Sequence, residues 1–138
     1  MSPLARMEIR TEGGAIVANV AGEVDISNAS DLGSALEGAV PQRALGLVLD
    51  LSEATYIDSA GIHLLFRLGG RLTRRRQQLR VVVPDGAPIR KIVNLAGLGW
   101  TVPHDKSVPE ALANLRAEVT PQLGQDAWVS SHDSPHYY

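Results

Sequence analysis

Residues 45–62 read Leu45-Gly46-Leu47-Val48-Leu49-Asp50-Leu51-Ser52-Glu53-Ala54-Thr55-Tyr56-Ile57-Asp58-Ser59-Ala60-Gly61-Ile62. The run Leu45–Leu51 is short and nearly unbroken in its apolar character. Its length and flanks predict a strand buried on both faces, as in a parallel sheet covered by helices. After a short connection, Asp58-Ser59-Ala60-Gly61 opens a helical pattern in which Ile62, Leu65, Phe66, Gly69 and Leu72 form one stripe. Arg67, Arg71 and Arg74 recur at i, i+4 and i+7 elsewhere on that helix. A strand feeding a helix in this way is half of a parallel crossover.

Working outward, the same alternation continues. Met7–Thr11 and Ala15–Val20 read as a hairpin, with Glu12-Gly13-Gly14 as a turn that tolerates positive φ. Gly22-Glu23-Val24-Asp25 reads as a loop leaving the second strand. A helix follows from about Asn28, with Ala29, Leu32, Ala35, Leu36 and Ala39 on one face, and Pro41 bars its continuation. Downstream, Leu79–Val83 reads as a buried strand stopped by Pro84, and Pro88–Leu98 as a third helix with Gly97 or Gly99 for its cap. Trp100–Val102 is a short strand candidate. Ser107-Val108-Pro109-Glu110 has the capping-box pattern and opens a last helix to about Val119. The order β-β-α-β-α-β-α-(β)-α demands crossovers, so the class is α/β with a mixed sheet.

Composition bounds the chemistry. A length of 138 residues fits one domain, and 44% apolar content is enough for a core. Aromatics number six, with Trp128, Tyr137 and Tyr138 near the end, so the core is expected to be aliphatic. There is no cysteine, which removes disulfides, thiol nucleophiles and thiolate metal sites together. The first ten residues hold Arg6, Glu8 and Arg10 without an apolar run, and no stretch reaches the ~18 apolar residues of a membrane span. A soluble cytoplasmic protein with no cofactor is expected. Residues 1–119 are read as the domain and the polar segment 120–138 as a disordered tail.

The formal net charge of −2 hides a segregation. Residues 1–58 carry nine acids and three bases, whereas residues 59–80 carry six arginines and no acid. The sign reverses at Asp58/Ser59. Backbone N–H groups and the positive end of the helix dipole face outward at such a helix start, which suits an anionic oxygen. A phosphoserine at Ser59 would add about −1.5 to −2 charges without breaking the helix beneath it.

Three blocks, Gly22-Glu23-Val24-Asp25, Leu49-Asp50-Leu51-Ser52 and Tyr56-Ile57-Asp58-Ser59-Ala60-Gly61-Ile62, agree in order and distance with the anti-sigma-factor antagonists of the STAS domain superfamily, which the chain resembles over roughly residues 7–118. The Ala96-Gly97-Leu98 end of the third helix fits as well. The resemblance implies a STAS-like α/β domain, mixed sheet with helices packed mainly on one face, that binds and does not catalyse. It also implies that Ser59 is phosphorylated by a partner that is both anti-sigma factor and serine/threonine kinase. The unphosphorylated form would bind that partner and free the sigma factor; phosphorylation would end binding, and a phosphatase would reset it. Gly22, Glu23, Asp25, Asp58, Ser59, Ala60, Gly61, Ile62 and His63 are the partner-binding residues so implied, with Glu23 and Asp25 on a loop near Ser59. Ala60 departs from the family, which often has a second hydroxyl there, and His63 stands near a position often occupied by glycine.

Plainer readings stand beside these. Serine is an ordinary helix-start residue, Asp58 fits an N-cap, and Gly61 is explained by close backbone packing. Ser59 and His63 at i, i+4 invite a serine-hydrolase reading, but Ile57 occupies the place where a nucleophile elbow needs glycine. A STAS scaffold subunit of a sensor or transporter complex is the alternative within the same fold. The arginine block reads as a solvated helix end whose charge complements the dipole. With Phe66 as its one interleaved aromatic it lacks a base-stacking platform, so no direct nucleic-acid contact is expected. His104, His132 and His136 form no metal constellation.

Overall fold

Gly13 and Gly14 both take positive φ, 59° and 84°, and with Glu12 opposite Ala15 they close a two-residue hairpin of the type I′ class. The computed structural model, which describes residues 5–95 and 104–119, places β1 (Ala5–Glu12) and β2 (Ala15–Val24) on its two arms. The second strand runs four residues past its expected end, because it acquires two successive parallel partners. Its first half, Ile16–Asn19, pairs with β3 (Gly46–Asp50). Its second half pairs with β4 (Ala54–Ile57), with an irregularity between Gly22 and Glu23 where Gly22 adopts φ 95°. Gly22, Glu23 and Val24 are therefore strand residues, and only Asp25 begins the loop. The sequence does not announce β4: it is four residues long, with Ala54 and Ile57 buried and Thr55 and Tyr56 exposed, so it shows no alternation.

The remaining elements are α1 (Ala29–Gly38), α2 (Ser59–Arg74), β5 (Gln78–Val82), α3 (Arg90–Leu95), β6 (His104–Asp105) and α4 (Val108–Val119). Strand order is β1-β2-β3-β5-β6, with β4 beside β2. Only β1 is antiparallel to its neighbour; β2–β3, β3–β5 and β5–β6 are parallel. Gly46 permits the central pairing, since a Cβ there would strike the backbone of Gln78. The candidate strand Trp100–Val102, the caps at Gly97 or Gly99 and the segment 120–138 lie outside the described residues.

The aliphatic core is split by the sheet. On one face, Ile16, Ala18, Val20, Leu47, Leu49 and Val81 pack against α1, α2 and α3. On the other, Val17, Val48 and Val82 pack against Ala111, Leu112 and Leu115 of α4. Three helices thus cover one face and one covers the other. The expected burial on both faces holds for Leu47, Val48 and Leu49, while Leu45 and Asp50 are partly covered.

Two helical stripes are rotated from expectation. In α2 the buried residues are Gly61, Leu64, Leu65, Leu68 and Leu72, while Phe66 is exposed and Ile62 half-buried. In α1, Ala35 is exposed and the buried face is Ala29, Leu32 and Leu36, continued by Val40. Where apolar residues are as dense as in Ile62–Leu68, periodicity alone leaves the phase open, and packing against the sheet decides it. Ser107 caps α4 as expected, accepting the Glu110 N–H at 3.2 Å.

The arginine block is more than a solvated helix end. Arg76 takes φ 59°, and the bonds Gln77 N–H to Leu72 O (2.8 Å) and Arg76 N–H to Thr73 O (2.9 Å) form a Schellman ending without glycine. Arg75 donates to Val40 O at 2.7 Å, and the Gln77 amide donates to Pro41 O and Ala44 O at 2.7 and 3.0 Å. Arg71 pairs with Glu37 at 2.6 Å. The helix end is clasped to the chain between α1 and β3. Arg80 is a different case: it is buried in β5 and paired with Asp105.

Candidate functional site

The site forms where two chain reversals meet at one end of the sheet. β2 leads into the loop before α1, and β4 leads directly into α2; because β2 and β4 pair in parallel, both exits lie side by side. Asp58 joins them. Its backbone N–H donates to Val24 O at 3.1 Å, its Oδ1 accepts the Gly61 N–H at 3.0 Å, and its Oδ2 accepts the Ile26 N–H at 3.1 Å. One carboxylate therefore caps α2 and holds the neighbouring loop.

That loop is internally tied. Asp25 accepts from both the N–H and the hydroxyl of Ser27, at 2.9 and 2.5 Å. Buried Asn28 accepts from the Asp25 N–H at 3.0 Å and donates to Glu23 O at 2.8 Å. The result is a hydrogen-bonded Asp-Ile-Ser turn with Ile26 thrust outward, 82% exposed.

Ser59 is the first residue of α2 and is exposed. The first bonds of the helix are made by Gly61 and Ile62, which leaves the N–H groups of Ser59 and Ala60 at the open helix end. A hydroxyl there is accessible from solvent and sits in the favourable end of a 16-residue helix dipole.

The expected site residues divide by role. Glu23, Ser59 and His63 are exposed, and Gly22, Asp25, Asp58, Ala60 and Ile62 are partly covered. Ala60 and Ile62 lean on the main core. Gly61 is buried; a Cβ on it would lie 2.5 Å from Ile57 Cγ1 and 3.0 Å from Val24 Cγ1, so it serves the contact between α2 and the sheet. Asp25 Oδ1 accepts within the loop and the two oxygens of Asp58 serve the α2 cap and the loop, while Glu23 is exposed. Ser59 and His63 share no hydrogen bond among the described residues, so the geometry lends the hydrolase reading no support. Among those residues, no group of acids and histidines that could hold a metal ion occurs, and no helix is long and apolar enough to cross a membrane.

Two surface residues escape a reading by motif. Ile26, whose N–H is held by Asp58, and Tyr56 (45% exposed), which pairs with Glu23, expose apolar area at this end of the sheet. The signal for Ile26 is present in the sequence, as one large aliphatic residue inside the polar run Asp25-Ile26-Ser27-Asn28. Tyr56 is exposed because β4 turns two successive side chains to solvent.

Ser59 thus stands exposed at the start of α2, beside the loop that Asp58 ties to that helix, at one end of a mixed sheet with three helices on one face. The chain belongs to the STAS domain family, whose model matches residues 6–111. It is similar to the anti-sigma-F factor antagonist RsfB of Mycobacterium tuberculosis, with 28% identity over 104 residues, 75% of this chain and 83% of that protein. The crystal structure of an anti-sigma factor antagonist from Mycobacterium paratuberculosis superposes with a TM-score of 0.72 at 28% identity, covering 83% of this chain and 97% of that one. A sulfate transporter family protein from Wolinella succinogenes shares the fold (TM-score 0.66, 18% identity, 81% and 93% covered). The fold alone therefore does not assign the task.

Proposed function

We propose that this chain is an anti-sigma-factor antagonist whose binding is switched at Ser59. With Ser59 unmodified, the loop around Ile26 and the start of α2 bind a cytoplasmic anti-sigma factor that is also a serine/threonine kinase, and a sigma factor is released for transcription. Phosphorylation of Ser59 ends the complex, and a phosphatase restores it. The observation that carries this reading is the exposure of Ser59 at the open start of α2, beside the loop that Asp58 fixes. The similarity to two mycobacterial antagonists supports it.

The physical switch is local. A phosphate at Ser59 adds about −1.5 to −2 charges next to Glu23, without removing any bond that holds the helix. Apolar contact at Ile26 and Tyr56 provides area in the unmodified state; the added dianion desolvates poorly and repels acidic or nucleotide-bearing groups across the interface. The protein acts by binding and catalyses nothing itself. The test is a binding titration with the kinase of the native host. Ser59→Ala should bind as the unmodified protein does, and Ser59→Asp at least about tenfold more weakly, a difference of ~1.4 kcal/mol. Equal binding by both variants removes Ser59 from the switch. Intact mass of protein from the host should show an addition of about 80 Da located at Ser59.

A further inference from the structure

The outer edge of β1 is open: β1 lies at the end of the strand order and pairs only with β2 among the described residues. It is eight residues long, and Arg6 and every residue from Glu8 to Glu12 are exposed. Soluble proteins normally blunt such an edge with charged side chains, proline or a bulge, and charges deter self-pairing only where like charges would meet. Here the charges alternate in sign along one face: Arg6, Glu8, Arg10, Glu12. The opposite face carries Met7, Ile9 and Thr11, with Ile9 43% exposed.

This pattern is self-complementary in one antiparallel register. A two-fold axis through Ile9 places Arg6 opposite Glu12 and Glu8 opposite Arg10, each pair occurring twice, with Ile9 against Ile9 on the other face. An axis through Glu8 or Arg10 sets like charges against each other. An axis through Met7 or Thr11 keeps one type of charge pair and loses the other. The exposed Arg10–Glu12 contact within the strand, 3.0 Å, contributes little in water and is replaced by the cross-strand pairs.

We propose that two copies of this chain associate through β1, in the register centred on Ile9, to give one continuous sheet across the dimer. Such an interface is isologous and closed. The two-fold axis sends the β2 ends of the two copies in opposite directions, so the Ser59 surfaces stand at opposite ends of the joined sheet. Each remains open to its own partner. The inference rests on the edge alone and is independent of what binds at Ser59.

An eight-residue edge buries less than a standard interface, so association is expected between roughly 10 μM and 1 mM. Sedimentation of the full chain across that range should show a monomer–dimer equilibrium that weakens with salt. The double variant Arg6→Glu/Arg10→Glu and the double variant Glu8→Arg/Glu12→Arg should each dissociate at least about tenfold more readily. Mixing the two should restore a dimer, with circular dichroism confirming that both are folded. Because the chain has no cysteine, Ile9→Cys reports the register directly: it should form an intermolecular disulfide on mild oxidation. Thr11→Cys should not, since its two copies would lie about 13 Å apart. A wild-type chain that stays monomeric at 1 mM overturns the proposal. So does a dimer that both charge variants keep, or one that cross-links through Thr11→Cys in preference to Ile9→Cys.

Discussion

Asp58 Oδ2 accepts the backbone N–H of Ile26 at 3.1 Å, across 32 positions of sequence, while Oδ1 of the same carboxylate caps α2 through Gly61. One carboxylate thus ties the start of the helix to the loop before α1, and under the proposed function this tie would lower the ordering cost of a partner that touches both.

Asp58→Ala removes both bonds. Loss of an N-cap costs about 1–2 kcal/mol, and the loop loses its tie to α2. Urea denaturation should show a lowered midpoint. Hydrogen exchange should show the Ile26 amide exchanging faster than in the wild type, while amides in β3 change only with global stability. Unchanged exchange at Ile26 would show that the loop holds itself through Asp25 and Asn28.

Arg80 and Asp105 form a pair beneath α4, with Nε to Oδ2 at 2.6 Å and Nη2 to Oδ1 at 3.1 Å, and Asn114 donates to Asp105 at 2.6 Å. Both residues are buried, so removing one partner strands a charge. Asp105→Ala should destabilise the fold by about 3–5 kcal/mol, whereas the double replacement Arg80→Met/Asp105→Leu should recover much of that loss. Midpoints of chemical denaturation for the three proteins decide it; a double variant as unstable as Asp105→Ala would show that Arg80 matters through its other contacts.

His104 has its pKa lowered below the ordinary 6.5 by burial first and then by the positive charge of Arg90, with Asp105 opposing and Arg80 adding the least. The unfolded chain therefore takes up the proton first as pH falls. The histidine imposes no penalty well above pH 6.5; below it, stability is lost progressively until the folded form protonates as well. Denaturation midpoints at about pH 7.5 and pH 5.5 should fall more steeply for the wild type than for His104→Gln. Equal slopes would remove His104 from the pH dependence.

The mixed sheet, the hairpin, the buried strand Gly46–Asp50 and the helix opening at Ser59 were legible in order and nearly in extent. Local chemistry specifies them: paired glycines for a turn with positive φ, an apolar run too short for a helix, and an aspartate before a helical stripe. β4 was not legible, because four residues without alternation are too short a run to stand out even though Thr55, Tyr56 and Ile57 favour strands, and pairing with β2 is what holds them. The phases of α1 and α2 escaped for a related reason: a helix surface rich in apolar residues has more than one plausible inner face, and the sheet beneath selects among them.

Residue type and spacing were enough for the fold class, the family and the serine that stands at the head of α2. What surrounds that serine depends on long-range pairing. Ile26 and Tyr56 become surface, and Asp58, beyond its cap, joins two segments far apart in the chain. The arginines divide in the same way, into a clasp at the end of α2 and the buried partner of Asp105. The physical reason is that exposure and hydrogen-bond partnership are set by which strands lie side by side, and the parallel pairing of β2 with β4 is a long-range choice that no local pattern records.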